Sequence, residues 1–193
     1  FGCEMITIPM TPDGPDMDLV EEMVTDPTVK GIWCVPKYSN PEGIVYSDAV
    51  VRRFAALKPA APDFTIMWDN AYCIHEFEGD YVPFPDIISL CEKEGNPDLV
   101  FEFASTSKIS FSGAGISAVA TSARNVEWFK KSMTIQTIGY DKLNQLRHVR
   151  YYKDLSGLQA HMMKHAAAIR PKFAAVLATL EKELGGLGIA SWI

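Results

Sequence analysis

Three short polar clusters in this sequence contain residue types that could do chemistry. Asn40 begins an Asn-Pro-Glu-Gly tetrapeptide, Asp69 and Tyr72 lie three residues apart, and Lys108 lies among small hydroxyl residues and glycines. A carboxylate can stabilise a cation, an amide or a phenol can donate to an oxygen, and an amine can form an imine with a carbonyl compound. Taken singly, each cluster is equally well explained by a turn, a helix cap, core packing or a solvated side chain.

The segment around Lys108 is the richest in hydrogen-bond donors, and it reads FEFASTSKISFSGAGIS. Hydroxyl groups and backbone N–H groups at small residues are typical of phosphate sites. A lysine beside such a cradle could form an imine with a carbonyl cofactor that carries a phosphate. The candidate residues of the cradle are Ser105, Thr106, Ser107, Ser110, Ser112, Gly113 and Gly115.

Each cluster follows an apolar segment that predicts a buried strand. These segments are residues 31–36, 64–68 and 99–104, and predicted helices separate them. Apolar strands that alternate with helices favour an α/β fold of three layers, a mainly parallel sheet with helices on both faces. Ligands of such sheets bind beyond the carboxyl ends of the strands, so we expect the three clusters to meet at one edge.

The remaining predicted elements follow from apolar periodicity, caps and glycines. The cap of the second helix is Ser47, and Asp16 opens the first. Further strands are predicted at residues 3–9 and 116–121, and helices at residues 17–24, 48–57, 86–94, 125–133 and 155–184.

Composition restricts the partners of the protein. Its 193 residues are 48% hydrophobic, which predicts a globular fold, and the net charge of −6 with scattered basic residues argues against a nucleic-acid surface. No apolar run reaches about 18 residues, the length that a membrane-spanning helix needs.

Four cysteines without a CxxC pair indicate free thiols in a reducing cytoplasm. His161 and His165 lack a third ligand, so no metal site is predicted.

Together the clusters resemble the fold-type I pyridoxal-phosphate enzymes. The order is Asn-Pro-x-Gly, Asp-x-Ala-Tyr and Ser-x-Ser-Lys, with 29 residues from Asn40 to Asp69 and 36 from Tyr72 to Lys108. Within that group the sequence is similar to the class I aminotransferases, in a bacterial branch described as aspartate aminotransferases. The resemblance implies that residues 1–193 are most of the large cofactor-binding domain. It places an N-terminal segment and a C-terminal small domain outside this chain.

The resemblance also implies a role for each cluster. Lys108 would hold pyridoxal 5′-phosphate as an internal aldimine and, once displaced by the substrate amine, move the 1,3 proton. Asp69 would pair with the protonated pyridine nitrogen. Asn40 and Tyr72 would hydrogen-bond the phenolic oxygen of the ring. The residues that would bind the phosphate are Ser105 and Ser107.

One position departs from the pattern of the family. Many relatives have an arginine eight residues after the lysine that also binds the phosphate, and this sequence has Ile116 there. The phosphate would then depend on hydroxyls, backbone N–H groups or residues outside this chain.

The function implied by the resemblance is transfer of an amino group from an amino acid, with aspartate or glutamate as candidates, to a 2-oxo acid. A homodimer is implied as well, with residues 140–147 reaching toward the active site of the neighbour. Two alternatives use the same residues. One is a pyridoxal-phosphate-dependent carbon–sulfur lyase or decarboxylase, and the other is the cofactor-binding effector domain of a transcriptional regulator. A DNA-binding segment upstream would favour the regulator, and a glycine-rich phosphate loop without one would favour an enzyme.

Overall fold

The structure, a computed structural model, describes residues 2–77 and 79–189. The chain divides into two compact units: Phe1–Ala71 with Phe84–Tyr140 form the first unit, and Tyr72–Pro83 with Asp141–Ile193 form the second. The first unit contains β1 (Met10–Thr11), β2 (Gly14–Pro15), α1 (Met17–Met23), β3 (Gly31–Cys34), α2 (Asp48–Ala56), β4 (Thr65–Asp69), α3 (Ile87–Lys93), β5 (Val100–Ser105), β6 (Ser117–Ala120) and α4 (Ala123–Gln136). The second unit contains α5 (Lys142–Tyr152) and α6 (Leu155–Leu184).

The main sheet of the first unit has the strand order β3-β4-β5-β6. Strands β3, β4 and β5 are parallel, whereas β6 pairs with β5 in the antiparallel sense. The expected α/β fold with a mainly parallel sheet is therefore confirmed. Strand β6 reverses direction because residues 106–116, which connect it to β5, contain no helix, and a parallel crossover needs a dozen or more residues.

One face of this sheet carries the main core. Trp68 of β4 and Phe54 of α2 are fully buried, and their rings meet edge to face with centroids 5.7 Å apart. Ile87 and Cys91 of α3 belong to the same buried cluster. Helices α2 and α3 therefore cover this face, and the burial of these large side chains is the main source of its stability.

Helix α4 covers the opposite face. Successive side chains of a strand point to opposite faces, and Trp68 is level with Glu102 in the register of β4 and β5. Phe101 consequently points away from the Trp68 face. Its ring lies 6.3 Å from the rings of Trp128 and Phe129 in α4, measured between centroids. Helices on both faces were expected from the apolar strands, and this arrangement agrees with that expectation.

Local signals explain where the helices begin. Asp16, Ser47 and Asp86 each accept a hydrogen bond from a backbone N–H group of the first helical turn, which satisfies donors that have no partner inside the helix. Helix α6 runs from Leu155 to Leu184, as predicted, and ends before Gly185. The other predicted helices are found, and each begins and ends within three residues of its expected bounds. Asp86, the first residue predicted for α3, is its N-cap.

The prediction of a strand at residues 3–9 is wrong. The structure describes these residues as neither helix nor strand. A strand exists only where its backbone groups pair with a neighbour, and no described strand pairs with this segment. The two-residue strands β1 and β2 that follow pair only with each other.

The second unit is held together around α6. Arg170 donates from Nε to the carbonyl oxygen of Phe77 at 2.9 Å, and the rings of Phe77 and Phe173 lie 4.6 Å apart. These contacts hold Phe77 against the helix. None of the helices in the described residues is both long and apolar enough to cross a membrane.

Candidate active site

The carboxyl ends of the parallel strands bring two of the predicted clusters to one edge of the sheet. Asp69 is the last residue of β4 and Ser105 is the last residue of β5, on adjacent strands. Asp69 is level with Phe103. Because side chains alternate along a strand, Asp69, Phe103 and Ser105 point to the same face of the sheet.

The carboxylate of Asp69 is half-buried. It accepts no hydrogen bond and forms no ion pair with any residue in ranges 2–77 and 79–189. A partly desolvated carboxylate is stabilised by a cation or a hydrogen-bond donor. Asp69 is therefore chemically suited to a positively charged group that approaches the edge of the sheet.

Some hydroxyls near Lys108 hold the loop together. Thr106 Oγ1 accepts a hydrogen bond from the N–H group of Ile116 at 2.9 Å, and the Thr106 N–H group donates to the carbonyl oxygen of Ile116 at 2.9 Å. Ser110 Oγ donates to the carbonyl oxygen of Thr106 at 2.9 Å. The side chains of Thr106 and Ser110 thus bond to backbone groups of their own loop.

Two other hydroxyls of this loop keep their capacity to donate. Ser105 Oγ accepts from the N–H group of Ser107 at 3.3 Å, so its own O–H remains able to bond a further acceptor. The Ser107 hydroxyl bonds no group of the protein among the described residues. These are the two serines predicted to bind a phosphate, and both are half-buried.

Lys108 lies in a tight turn. The N–H groups of Ile109 and Ser110 both donate to the carbonyl oxygen of Thr106, at 3.0 and 2.8 Å. Ile109 is buried, with 6% of its surface exposed, whereas Lys108 is exposed. The buried Ile109 anchors the turn, and the lysine leaves it on the solvent side.

The loop that carries Asn40 is equally compact. Ser39 Oγ accepts from the N–H group of Ile44 at 3.0 Å, and the Ser39 carbonyl accepts from Gly43 at 2.8 Å. Gly43 has a φ of 73°, a left-handed conformation that glycine adopts without steric cost. Asn40 is exposed at the tip of this turn after β3.

Tyr72 lies in the second unit, and its ring meets that of His75 edge to face at 5.5 Å. The predicted contact of Tyr72 with the cofactor ring therefore stays a prediction. A cavity of about 290 Å³ in the same unit is lined by Ile74, Glu76, Asp80 and Tyr81 and by residues of α6, among them Gln159 and Met163. None of the predicted site residues lines it. The described residues contain no group of three His, Cys, Asp or Glu side chains that could hold a metal ion.

The motifs did not point to Asn70 and Glu102, which lie beside Asp69. Asn70 donates from its backbone N–H to the carbonyl oxygen of Phe103 at 2.8 Å and from Nδ2 to the Glu102 carboxylate. Burial raises the pKa of Glu102, and the nearby charge of Asp86 raises it further. The only signal in the sequence is a charged residue inside the otherwise apolar segment LVFEFA.

Comparison with known proteins identifies relatives over the whole chain. The family model described as aspartate amino-transferase matches residues 1–193. An aspartate aminotransferase of Corynebacterium glutamicum is 48% identical over 192 residues, which is 100% of this chain and 44% of that protein. The chain thus spans less than half the length of this curated relative.

Solved structures agree with the sequence match. The crystal structure of an aspartate transaminase from Corynebacterium glutamicum superposes with a TM-score of 0.95 at 48% identity, over 99% of this chain and 45% of that one. An α-aminoadipate aminotransferase from Thermus thermophilus, complexed with N-(5′-phosphopyridoxyl)-L-leucine, superposes with a TM-score of 0.75 at 21% identity, over 94% of this chain and 45% of that one. The second likeness concerns the fold alone.

Proposed function

The chain belongs to the aspartate amino-transferase family, and from that premise we propose that it forms the cofactor-binding part of a pyridoxal 5′-phosphate-dependent transaminase. The observation that carries this proposal is the sheet edge at the ends of β4 and β5. The carboxylate of Asp69, which pairs with no described residue, shares a face there with a serine whose hydroxyl can still donate, three residues before Lys108.

The residues at this edge fit the cofactor in chemical type. The pyridine nitrogen is cationic when protonated, and Asp69 offers an anion that pairs with none of the residues the structure describes. The phosphate needs donors, and the hydroxyls of Ser105 and Ser107 donate to no acceptor in the described part of the chain. The aldehyde needs an amine, and Lys108 is exposed on a turn that buried Ile109 anchors. When bound, the cofactor supplies an aldehyde that reacts with amines and a ring that accepts electrons.

Each of these residues has a task in the proposed reaction. Lys108 Nζ would attach the cofactor and, after the substrate amine displaces it, would take the proton from the substrate Cα and return it. The Asp69 carboxylate would keep the proton on the pyridine nitrogen. Asn40 and Tyr72 would donate to the phenolic oxygen and orient the ring. Ile116 leaves the phosphate without the arginine that many relatives have, so hydroxyls and N–H groups carry more of that charge.

We propose an acidic amino acid, aspartate or glutamate, as the amino donor and a 2-oxo acid as the acceptor. The support is the 48% identity to the aspartate aminotransferase of Corynebacterium glutamicum. We further propose a homodimer in the cytoplasm. Helix α5 supports the dimer because Leu143, Leu146 and Val149 are exposed along it, and exposed apolar side chains of this kind are typical of interfaces.

The test is the visible spectrum of the full-length protein with pyridoxal 5′-phosphate, recorded before and after aspartate or glutamate is added without an acceptor. We expect a visible band of lysine-bound cofactor that disappears with one of these amino acids, with release of about one 2-oxo acid per bound cofactor, because the first half-reaction is stoichiometric. A band that no amino acid changes would contradict the transaminase and favour the effector-domain alternative. Release of pyruvate and a thiol from a sulfur amino acid would favour the lyase.

A further inference from the structure

A polar clamp joins the residue after Asp69 to the neighbouring strand. Asn70 is tied to β5 at two points, the carbonyl oxygen of Phe103 and the carboxylate of Glu102. The first bond continues the pattern of the parallel ladder. The second is made by side chains 32 residues apart in the sequence, so it depends on the pairing of β4 with β5.

Stability alone does not account for Glu102. Its register partners are Trp68 and Ala120, and it points to the face that carries the main core. A half-buried carboxylate at such a position is costly, as its raised pKa indicates. An apolar side chain of similar size would lower the free energy of the folded state without that cost.

The side chain of Asn70 adds a second free-energy cost to the folded state. Its Oδ1 atom is buried and has no hydrogen-bond donor among the residues that the structure describes. An unsatisfied buried acceptor costs about 1–3 kcal/mol. Groups of this kind call for an explanation other than packing, and the position of the pair beside Asp69 offers one.

The clamp determines the face to which Asp69 points. Side chains alternate along extended backbone, so Asn70 and Asp69 point to opposite faces, and a slip of one residue would exchange them. Holding Asn70 on the face of Glu102 keeps Asp69 on the other face. That other face is the one to which Ser105 points.

We propose that Glu102 is a positioning residue for Asp69, acting through Asn70 so that the Asp69 carboxylate is held on the face of Ser105, ready to pair with the ring of the cofactor. This inference rests on the proposed function. Glu102 itself does not touch the cofactor.

The test uses full-length protein in four forms: wild type, Glu102→Ala, Asn70→Ala and Glu102→Gln. Hydrogen exchange of the cofactor-free protein, read on a peptide that spans residues 66–74, reports the clamp directly. We expect faster exchange in Glu102→Ala than in wild type. Residues that orient metal ligands contribute about 10–100-fold to affinity or activity. By analogy, we expect Glu102→Ala to raise the cofactor dissociation constant and to lower kcat by factors of this order.

Two comparisons separate positioning from plain destabilisation. In Glu102→Gln the amide oxygen can still accept from Asn70 Nδ2, so we expect hydrogen exchange, cofactor affinity and kcat within about threefold of wild type, because the hydrogen bond rather than the charge holds the clamp. The double variant Asn70→Ala/Glu102→Ala should lose no more than either single variant, since both remove the same bond. The KM for the amino acid should stay near the wild-type value.

The matched control is Asn96→Ala. The Asn96 side chain donates to the carbonyl oxygens of Ala55 and Leu57, so its loss lowers stability without a link to Asp69. We expect a lower melting temperature with unchanged cofactor affinity. If Glu102→Ala behaves like this control, or if it fails to fold and Asn70→Ala then binds cofactor like wild type, the inference is overturned. If wild type binds no cofactor, or if Asp69→Ala keeps both the cofactor affinity and the kcat of wild type, the proposed function has failed instead.

Discussion

Gly115 lies so close to Ser107 that a Cβ atom on Gly115 would come within 2.8 Å of the Ser107 hydroxyl oxygen and 3.0 Å of its backbone nitrogen. Real Cβ atoms do not approach so closely, so the two arms of the loop around Lys108 touch only because residue 115 has no side chain. The close approach of Gly115 therefore adds to the hydrogen bonds of Thr106 and Ser110 in shaping the proposed phosphate cradle.

Replacing Gly115 by alanine should open that contact. We expect Gly115→Ala to lower the stability by about 1–3 kcal/mol, as overpacking usually does, and to weaken cofactor binding because Ser107 is displaced. Thermal unfolding and a cofactor titration measure the two effects. Gly139→Ala is the matched control, since a Cβ there meets nothing within 4 Å; equal behaviour of the two variants would mean that the loop adapts freely.

The two groups of hydroxyls should respond differently to removal. Ser107→Ala should weaken cofactor binding about tenfold, the loss of one charge-assisted hydrogen bond of about 1.4 kcal/mol, with little change in the melting temperature of the cofactor-free protein. Thr106→Ala should lower the melting temperature and leave cofactor affinity nearly unchanged, because the N–H group of Ile116 loses its acceptor. Parallel melting curves and titrations test this, with Thr106→Ser as the control that keeps the hydroxyl. The prediction fails if Thr106→Ala lowers affinity more than Ser107→Ala.

Removal of the lysine amine should abolish turnover. Lys108 is exposed and its turn is held by backbone hydrogen bonds and by Ile109, so Lys108→Ala should fold with a nearly unchanged melting temperature. We expect loss of the visible cofactor band and of measurable turnover, because Lys108 supplies the amine that attaches the cofactor in the proposed reaction. Lys131→Ala, an exposed lysine in α4, serves as the control. Wild-type turnover in Lys108→Ala would refute the assignment.

Neutralising Asp69 should affect the chemical step more than binding. Asp69→Asn keeps the shape of the side chain but removes the anion that would hold the proton on the ring nitrogen. At saturating cofactor we expect Asp69→Asn to remain loaded and kcat to fall by about two orders of magnitude or more, a larger factor than the rise in the cofactor dissociation constant. Single-turnover kinetics with aspartate measure the step, and cofactor absorbance confirms occupancy. Unchanged kinetics would show that Asp69 is only the last residue of a strand.

The charge on Glu102 should make stability depend on pH. Burial, with a contribution from Asp86, raises its pKa in the folded protein above the value of the unfolded chain. Folded protein then binds more protons than unfolded protein between these two values, so Glu102 lowers stability as pH rises through that window. Glu102→Gln should raise the melting temperature at pH 7 relative to wild type, and the difference should shrink at pH 4. A difference that grows on acidification would contradict this cause.

Much of the fold was predictable because its signals are local. Asp16 and Ser47 cap helices through bonds to N–H groups two or three residues away, and the apolar runs of β3 and β4 need no knowledge of their neighbours to read as strands. The strand expected at residues 3–9 failed for the opposite reason. Its β-branched residues are a local signal, but a strand also requires a partner that the described chain does not provide.

The candidate site also combines local features that the sequence predicts with contacts that only the fold creates. The order and spacing of Asn40, Asp69 and Lys108 were sufficient to identify the family, because the motif is carried by residue type alone. The sequence could not show that Thr106 bonds to the backbone of its own loop whereas the hydroxyl of Ser107 remains able to bind a ligand. That difference depends on where Ile116 lies in the folded chain.

Sequence alone thus determined the residue types, the starts of α1, α2 and α6, the alternation of strands and helices, and the family. Tertiary structure decided the direction of β6, the contact of Gly115 with Ser107, and the clamp of Asn70 on Glu102. The physical reason is distance along the chain. Caps and alternation act over a few residues, whereas the clamp joins residues 32 positions apart, which meet only after β4 and β5 have paired.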